Sequence, residues 1–410
     1  MRYIYSFVLT IGLIFFRVYA WFNPKARMRI QGVQKTLLEV SRSKKEVPKI
    51  WVHCASLGEF EQARPLLEHF RAMKNPPQIA LSFFSPSGYV PQAQTPLADE
   101  VYYLPWDFVR QQQKFVESIQ PQLCILIKYE FWPNLIHVLQ SKNIPIVSVS
   151  SRFNPQQFLF KPWGKWLLKY LAQVNSFFVQ DQPSEDVLKQ MGIEQVQVVG
   201  DTRMDRVSQL LDRPIASEKV QALKGIPYGV LGSSWPEDEA LFWPLLDRLP
   251  QQKWVVAPHD ISEKRLQQIE NLSGKSWTRW STSSSEELLN SSYILVDTIG
   301  ELKHLYAHAQ WAYVGGGMGN KGLHNILEAG IYGIPVIIGK NYQRFQEAID
   351  LIEAGGVFSV SNPKGLESLL VQLIKNPEFR MEIGGINQTF INQNKGASNL
   401  VFKQLQKYIS

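Results

Sequence analysis

The segment Trp51-Val-His-Cys-Ala-Ser-Leu-Gly-Glu-Phe-Glu-Gln-Ala-Arg-Pro-Leu-Leu67 sets a carboxylate, Glu59, just after a turn, Ser56-Leu57-Gly58, that ends the apolar run Ile50 to Ala55. Strand, glycine turn and helix in that order are where α/β folds place their chemistry, because ligands bind beyond the carboxyl ends of the strands. Glu59 is therefore expected to project from the turn into a cleft, where a lone carboxylate can accept a proton. Its plainer role is to complement the positive end of the helix that it opens. Both readings stand on this segment alone.

Other segments repeat the pattern. Lys128 and Glu130 follow the apolar run Leu123–Ile127, and Arg152 ends the run that carries Ser148 to Ser151. These charges either share a rim with Glu59 or form surface ion pairs of small energetic weight. Val314-Gly-Gly-Gly-Met-Gly-Asn-Lys-Gly-Leu-His-Asn-Ile-Leu-Glu-Ala329 runs from a strand through Gly315, Gly316 and Gly317 into a helix expected to open at His324-Asn325. Bare backbone and free helix-start amides suit a phosphate, and Glu328 suits the two hydroxyls of a ribose. Ser233 and Ser234 follow a further strand, placed to hold a phosphate or simply to cap the helix after Pro236. His259 ends the next strand on the same rim. No Cys/His spacing suggests zinc, and no Asp-x-Asp pair is present to hold a divalent ion on a diphosphate, so no metal site and no cofactor are expected.

The elements that position these residues alternate. Ile50–Ala55, Ile79–Phe84, Val101–Leu104, Leu123–Ile127, Ile146–Val149, Phe177–Val179 and Val196–Val199 read as strands. Helix-period stretches such as Phe60–Met73, Phe108–Ile119, Leu135–Gln140 and Ser184–Met191 lie between them. A second series follows: strands at Val230–Leu231, Trp254–Ala257, Ile294–Val296, Trp311–Val314, Pro335–Ile338 and Val357–Val360. Its helices are Glu237–Arg248, Ser262–Glu270, Glu301–Ala309, Asn325–Tyr332, Phe345–Ala354 and Lys364–Ile374. The seam falls in the polar stretch Arg206–Pro227, with Pro214, Gly225 and Pro227. The expected fold class is α/β, of GT-B type: two doubly wound, Rossmann-like domains facing a cleft, behind an N-terminal membrane anchor helix. The expected boundaries are 1–22 for the anchor, 23–47 for a basic juxtamembrane segment, 48–205 for the first Rossmann-like domain and 206–395 for the second. Residues 396–410 form a last helix expected to pack back on the first domain.

A chain of 410 residues is long for one core, and its formal charge of +7 is modest. Lys and Arg are scattered without interleaved aromatics, so nucleic acid is not expected as a partner; an anionic membrane surface or substrate accounts for the excess equally well. The two cysteines, Cys54 and Cys124, sit in apolar runs and read as buried, reduced thiols. Tyr3 to Phe22 is apolar apart from Arg17, with Tyr19 and Trp21 as an aromatic belt; a cleavable signal peptide ending near Ala20 is the rival. Lys25, Arg27, Arg29 and Lys35 follow at once, which holds the body on the cytoplasmic side. Whether the anchor spans or lies in the interface is left open.

Taken in order, His53-x-x-Ser56-x-Gly58-Glu59, Glu130-Phe-Trp-Pro-Asn134, Gly200-Asp-Thr-Arg-Met-Asp205, Gly232-Ser-Ser-Trp-Pro-Glu-Asp-Glu239, Gly300-Glu301-Leu302 and Gly322-x-His324-Asn325-x-x-Glu328 resemble the 3-deoxy-D-manno-octulosonic acid (Kdo) transferases of lipopolysaccharide synthesis. The similarity runs from the anchor to about Val360. It implies an inverting, metal-independent glycosyltransferase that moves Kdo from CMP-Kdo to a lipid A precursor, lipid IVA, at the cytoplasmic face of the cell inner membrane. It makes Glu59 the general base, with Ser56, Gly58, Lys128, Glu130 and Arg152 on the acceptor side. On the donor side it places Ser233, Ser234, His259, Gly315, Gly316, Gly317, His324, Asn325 and Glu328.

The departures from the family pattern are local. Lys128 stands where many relatives carry a glutamate. Pro258 replaces the arginine of Pro-Arg-His, with Lys264 or Arg265 as candidate substitutes. A longer serine–arginine segment is reduced to Ser151-Arg152, and Gly-Asn-x-Lys-Phe-Asp appears as Gly200-Asp-Thr-Arg-Met-Asp205. A GT-B enzyme acting on a UDP-sugar is the alternative, and a membrane-anchored binding scaffold without activity is the second. The number of Kdo residues transferred and the oligomeric state have no signature in the sequence.

Overall fold

Parallel strands buried on both faces need unbroken apolar runs, and the chain supplies two sets of them. The computed structural model describes residues 1–40, 49–212, 214–215 and 217–409. They form two compact units, residues 1–206 with 395–410, and residues 207–394. The end of the expected basic segment (41–47) and the expected start of the first domain at Pro48 lie outside the described residues, as do Arg213 and Ala216 in the seam.

The first unit is a parallel sheet of β1 (Lys49–Cys54), β2 (Gln78–Phe83), β3 (Glu100–Tyr103), β4 (Pro121–Ile127), β5 (Ile146–Ser151), β6 (Ser176–Val179) and β7 (Val196–Val198), ordered β3-β2-β1-β4-β5-β6-β7. Strand order reverses between β1 and β4, which are paired in register as Trp51 with Cys124 and His53 with Leu126. The carboxyl ends of these two strands are thus the topological switch point, where open α/β sheets bind ligands. Alternation along β1 sends Ile50, Val52 and Cys54 into the core under one sheet face and Trp51 into the core under the other.

Helices α1 (Arg2–Tyr19), α2 (Pro24–Glu39) and α3 (Leu57–Arg71) build on this sheet. α1 has a mean hydropathy of 1.3 and is long and apolar enough to cross a membrane. One stripe of it rests on its own unit: the Tyr5 ring is 5.9 Å from that of Trp166, and that of Phe16 is 5.6 Å from Trp106. Asn134 Nδ2 donates to Ser6 Oγ at 3.1 Å. The rest, including Tyr3, Phe7, Phe15 and Val18, is exposed, and Trp21 and Phe22 follow it at the surface. α2 turns Ala26, Arg29, Val33 and Thr36 inward at helical spacing. The sequence places Arg29 in an outward basic cluster; the structure buries it, because it falls on the apolar stripe of its helix. The last helix, Ala397–Leu405, puts Val401 and Leu405 into the core beneath α3, and Asp205 accepts from the backbone N–H groups of Gly396 and Ser398.

The second unit repeats the design with β8 (Tyr228–Ser234), β9 (Lys253–Pro258), β10 (Thr278–Arg279), β11 (Tyr293–Leu295), β12 (Trp311–Val314), β13 (Val336–Gly339) and β14 (Val357–Val360), ordered β10-β11-β9-β8-β12-β13-β14. Its switch point lies between β8 and β12. Two Rossmann-like α/β units in series make the chain GT-B-like.

Several helices differ from the sequence reading. Glu237–Arg248 breaks into Pro236–Glu239 and Trp243–Leu246, because Pro244 lacks the amide that a continuous helix requires. Asn325–Tyr332 shrinks to Leu327–Gly330, leaving His324 and Asn325 in the loop ahead of it. The polar seam is partly helical, at Thr202–Asp212 and Glu218–Ala222. The two-residue β10 is too short to leave a pattern.

Candidate functional site

At the β1/β4 switch point the chain gathers two carboxylates, an imidazole and two cations. Glu59 stands in the first turn of α3, and its Oε2 accepts from the Ala55 N–H. A partner of the helix dipole alone would have its pKa lowered. Burial instead pushes the Glu59 carboxyl up to about 7, and the charge of Glu130 adds to the rise. The Ala55 amide, His53 and Lys128 pull the other way and lose.

Glu130 behaves oppositely. Burial raises it, but the hydrogen bond and charge of His53, the indole of Trp132 and the charge of Arg29 together hold it below the usual glutamate value. His53 Nε2 lies 3.2 Å from Glu130 Oε2, and Trp132 Nε1 donates to the same oxygen at 2.8 Å. With Glu130 ionised, Nε2 carries a proton toward it, while Nδ1 faces Ser82 Oγ at 2.9 Å and Ser82 O at 3.1 Å; that hydroxyl accepts from Trp51 Nε1. Two carboxylates pushed apart in pKa take different parts: Glu130 stays charged, and Glu59 is poised to take up a proton near neutrality.

Lys128 ends β4 with φ at +59°, a left-handed conformation unusual for a residue with a side chain. Its amide donates to Val149 O at 3.0 Å, and its carbonyl accepts from Ser151 Oγ at 2.7 Å, which hold the strained turn in place. Ser56 is the extended N-cap of α3, and its side chain makes no capping bond. Gly58 is open: a methyl group there would meet only Ser56 Oγ, at 4.0 Å. Among the described residues nothing demands glycine at that position. Arg152 is paired with Asp181, the cap of helix Gln182–Gln190, which is the ion-pair reading of its charge.

Arg29 is the member of this site that the sequence did not single out. Its guanidinium carbon lies 4.5 Å from the ring centre of Phe84, 4.7 Å from that of Trp106 and 5.5 Å from that of Tyr103. Nη2 donates to Leu104 O at 2.5 Å, while Nε and Nη1 are buried without hydrogen-bond partners. Burial pulls its pKa down to about 9. Its spacing on the buried stripe of α2 was the available signal.

In the second unit the site lies beyond β8, β9 and β12. Ser233, near the end of β8, has φ at +52°, a left-handed conformation like that of Lys128. Ser234 neither caps the next helix nor offers its hydroxyl to a ligand, because the buried Oγ donates to Glu239 Oε1 at 2.9 Å. Glu239 in turn pairs with Arg265, which is buried. Arg265 is therefore committed inside the unit and does not replace the arginine absent at Pro258.

The glycine loop also differs from its expected use. Asp238, fully buried, accepts from Gly316 N at 2.7 Å, Met318 N at 3.2 Å, Trp235 N at 3.0 Å and Tyr313 Oη at 2.8 Å. Gly315 N donates to Gly232 O at 2.9 Å. The amides of Gly315 and Gly316 are thus spent inside the unit rather than offered to a phosphate. Bare backbone is needed for packing: a Cβ on Gly315 would sit 2.3 Å from Ser233 O, and Gly316 has φ at +91°.

Groups that remain able to meet an anion cluster around an indole. Trp235 stacks on His259 with ring centres 4.5 Å apart, and His259 lies 4.7 Å from His324. Trp235 Nε1 donates to His324 Nε2 at 3.1 Å, so the neutral imidazole carries its proton on Nδ1. Burial and the neighbouring His259 push the His324 pKa down to about 4. Lys321 Nζ stands 5.2 Å from the Trp235 ring centre. Asn325 Nδ2 donates to Glu328 Oε1 at 3.2 Å, which brings those two together.

Residues 26–206 match the family model described as 3-Deoxy-D-manno-octulosonic-acid transferase (kdotransferase). The 3-deoxy-D-manno-octulosonic acid transferase of Haemophilus influenzae is 29% identical over 378 residues, covering 88% of this chain and 87% of that protein. The protein of the same name from Chlamydophila psittaci is 26% identical over 380 residues, covering 88% and 86%. Among solved structures, the UDP-GlcNAc 2-epimerase of Neisseria meningitidis bound to UDP-GlcNAc superposes with a TM-score of 0.63 at 15% identity, over 88% of this chain and 100% of that one. At that identity the likeness concerns the fold alone. By its N-terminal match, and by sequence similarity along most of its length, the chain is similar to the 3-deoxy-D-manno-octulosonic acid transferases.

Proposed function

We propose that this chain is an inverting glycosyltransferase that moves Kdo from CMP-Kdo onto a lipid A precursor, lipid IVA, in lipopolysaccharide synthesis. The observation that carries this reading is the division of labour between Glu59 and Glu130. Glu59 is the general base: its raised pKa suits it to take the proton of the acceptor's primary hydroxyl as that oxygen attacks the anomeric carbon. Glu130, fixed by His53 and Trp132, remains ionised and keeps Glu59 basic. Lys128 steadies the Glu59 carboxylate when it is charged. Inversion requires no second carboxylate as nucleophile, which agrees with Glu130 being tied down.

On the donor side, the Nδ1–H of His324 and the cation of Lys321 are the groups offered to the departing CMP phosphate, and Asn325 and Glu328 to the ribose. The acylated acceptor lives in a membrane. In this reading the enzyme works with its acceptor on the cytoplasmic face of the inner membrane, and the exposed outer stripe of α1, with Trp21 and Phe22 behind it, supports contact with a membrane.

The test is product formation from CMP-Kdo and a tetraacylated lipid A precursor, wild type against Glu59→Ala. Removing a general base is expected to lower kcat by roughly 10²–10⁴-fold. Equal turnover would end the assignment.

A further inference from the structure

Beside the glycine loop the second unit carries a polar cleft of about 490 Å³, walled by Lys321, Gly322, Asn341, Gln343, Arg344 and Phe345. Lys321 ties this cleft to the imidazole site, because its ammonium group lies 5.2 Å from the ring centre of the indole that binds His324. The walls are fastened together. Asn341 Nδ2 donates to Met318 O at 3.1 Å and Gly319 O at 3.0 Å, and the Asn341 amide donates to Gly317 O at 2.8 Å. The cleft is therefore built into the fold. Neither Lys321 nor Arg344 has an ion-pair partner among the described residues. One acid approaches: the Glu237 carboxylate carbon would lie 3.2 Å from a Cβ on Gly319, placed to accept from hydroxyl groups.

A nucleotide-linked 2-ulosonic acid presents a particular charge problem. Its anomeric carbon bears both the phosphate ester and the carboxylate, so two negative charges lie within a few ångströms. A site that holds such a donor must answer both. Arg265 is unavailable, being buried against Glu239. We propose that the Lys321–Arg344 cleft takes the sugar-acid portion of the donor, with Lys321 beside the phosphate and Arg344 gripping the carboxylate. A guanidinium suits that task because its parallel N–H groups match the two oxygens of a carboxylate. The assignment rests on the reading of the chain as a CMP-Kdo-dependent transferase, and it adds Arg344, to which no motif pointed.

The experiment compares CMP, which lacks the sugar acid, with CMP-Kdo, using the full chain. Arg344→Ala and Arg344→Gln are expected to raise the KM for CMP-Kdo at least tenfold while the calorimetric Kd for CMP changes less than twofold. Arg344 is exposed and unpaired, so both variants are expected to melt with the wild type. An unchanged KM for CMP-Kdo overturns the inference, as does an equal loss for both ligands. If the wild type binds no CMP at all, the transferase reading fails first and this inference falls with it; normal CMP binding with an indifferent Arg344 defeats the inference alone.

Discussion

His53 and Glu130 meet across the switch point of the first sheet, Nε2 to Oε2 at 3.2 Å, although 77 residues separate them in the chain. This contact helps to hold one carboxylate below the usual glutamate pKa, beside another pushed up to about 7. The pH dependence of the reaction follows. A base that must be ionised makes kcat/KM rise with pH and level off above about 7. Glu130→Gln removes the negative neighbour, lowers the Glu59 pKa and moves that acid limb to lower pH, while a weaker base lowers the plateau. A pH–rate profile with its limb unmoved would sink the proposed coupling of the two residues.

Stability should run against activity at Glu59. Its folded pKa of about 7 exceeds the ordinary glutamate value of 4.5, so between those values the folded state binds more protons than the unfolded one. Stability contributed by the protonated group is complete below about 4.5 and is lost as pH rises through about 7. A tenfold change in proton affinity is worth roughly 1.4 kcal/mol in a buried site, and partial exposure of the side chain reduces the total to ~1–2 kcal/mol. Glu59→Gln is therefore expected to melt higher than the wild type at pH 8 and equally at pH 4.5. Calorimetric scans at the two pH values check it; a variant less stable at pH 8 contradicts the argument.

Asp238 serves the glycine loop as a structural staple. Asp238→Ala leaves the buried donors of Gly316, Met318, Trp235 and Tyr313 without their acceptor. The expected loss is about 3–5 kcal/mol in the second unit, with faster proteolysis between Gly315 and Leu323. Urea unfolding of the wild type and the variant measures it. A loss under about 1 kcal/mol would mean that water replaces the carboxylate without penalty.

Gly58 offers a cleaner separation of fold from function. A Cβ there meets only Ser56 Oγ at 4.0 Å, so Gly58→Ala is expected to keep its melting temperature. If the acceptor sugar occupies the space above this turn, the same variant raises the acceptor KM several-fold and leaves the donor KM alone. Unaltered acceptor kinetics would place the acceptor elsewhere.

Much of the architecture was legible because buried parallel strands announce themselves. β1, β4 and β12 are mostly apolar runs, and the turns after them carry Glu59, Glu130 and the glycines. Long-range pairing was not legible. Asp238 lies in an acidic run that looks like a helix start, and only folding brings Gly316 to it from 78 residues away. Ser234 and Arg265 read as ligand groups because a hydroxyl and a cation look alike whether they face solvent or, as here, the buried Glu239. Arg29 misled in the same way, one basic residue among several, distinguished only by its place on the stripe Ala26, Arg29, Val33 and Thr36.

The Arg29 side chain also bears on how the protein can be handled. The helix that supplies this charge, with its influence on Glu130, comes directly after the apolar helix α1. A shortened chain, cut after the first forty residues to gain solubility, would discard the cation along with α1 and leave Phe84, Trp106 and Tyr103 facing a void. Its rate would then report on a candidate site without this charge beside Glu130. Detergent-solubilised full-length protein, not a trimmed body, is the form in which the chemistry of Glu59 can be measured.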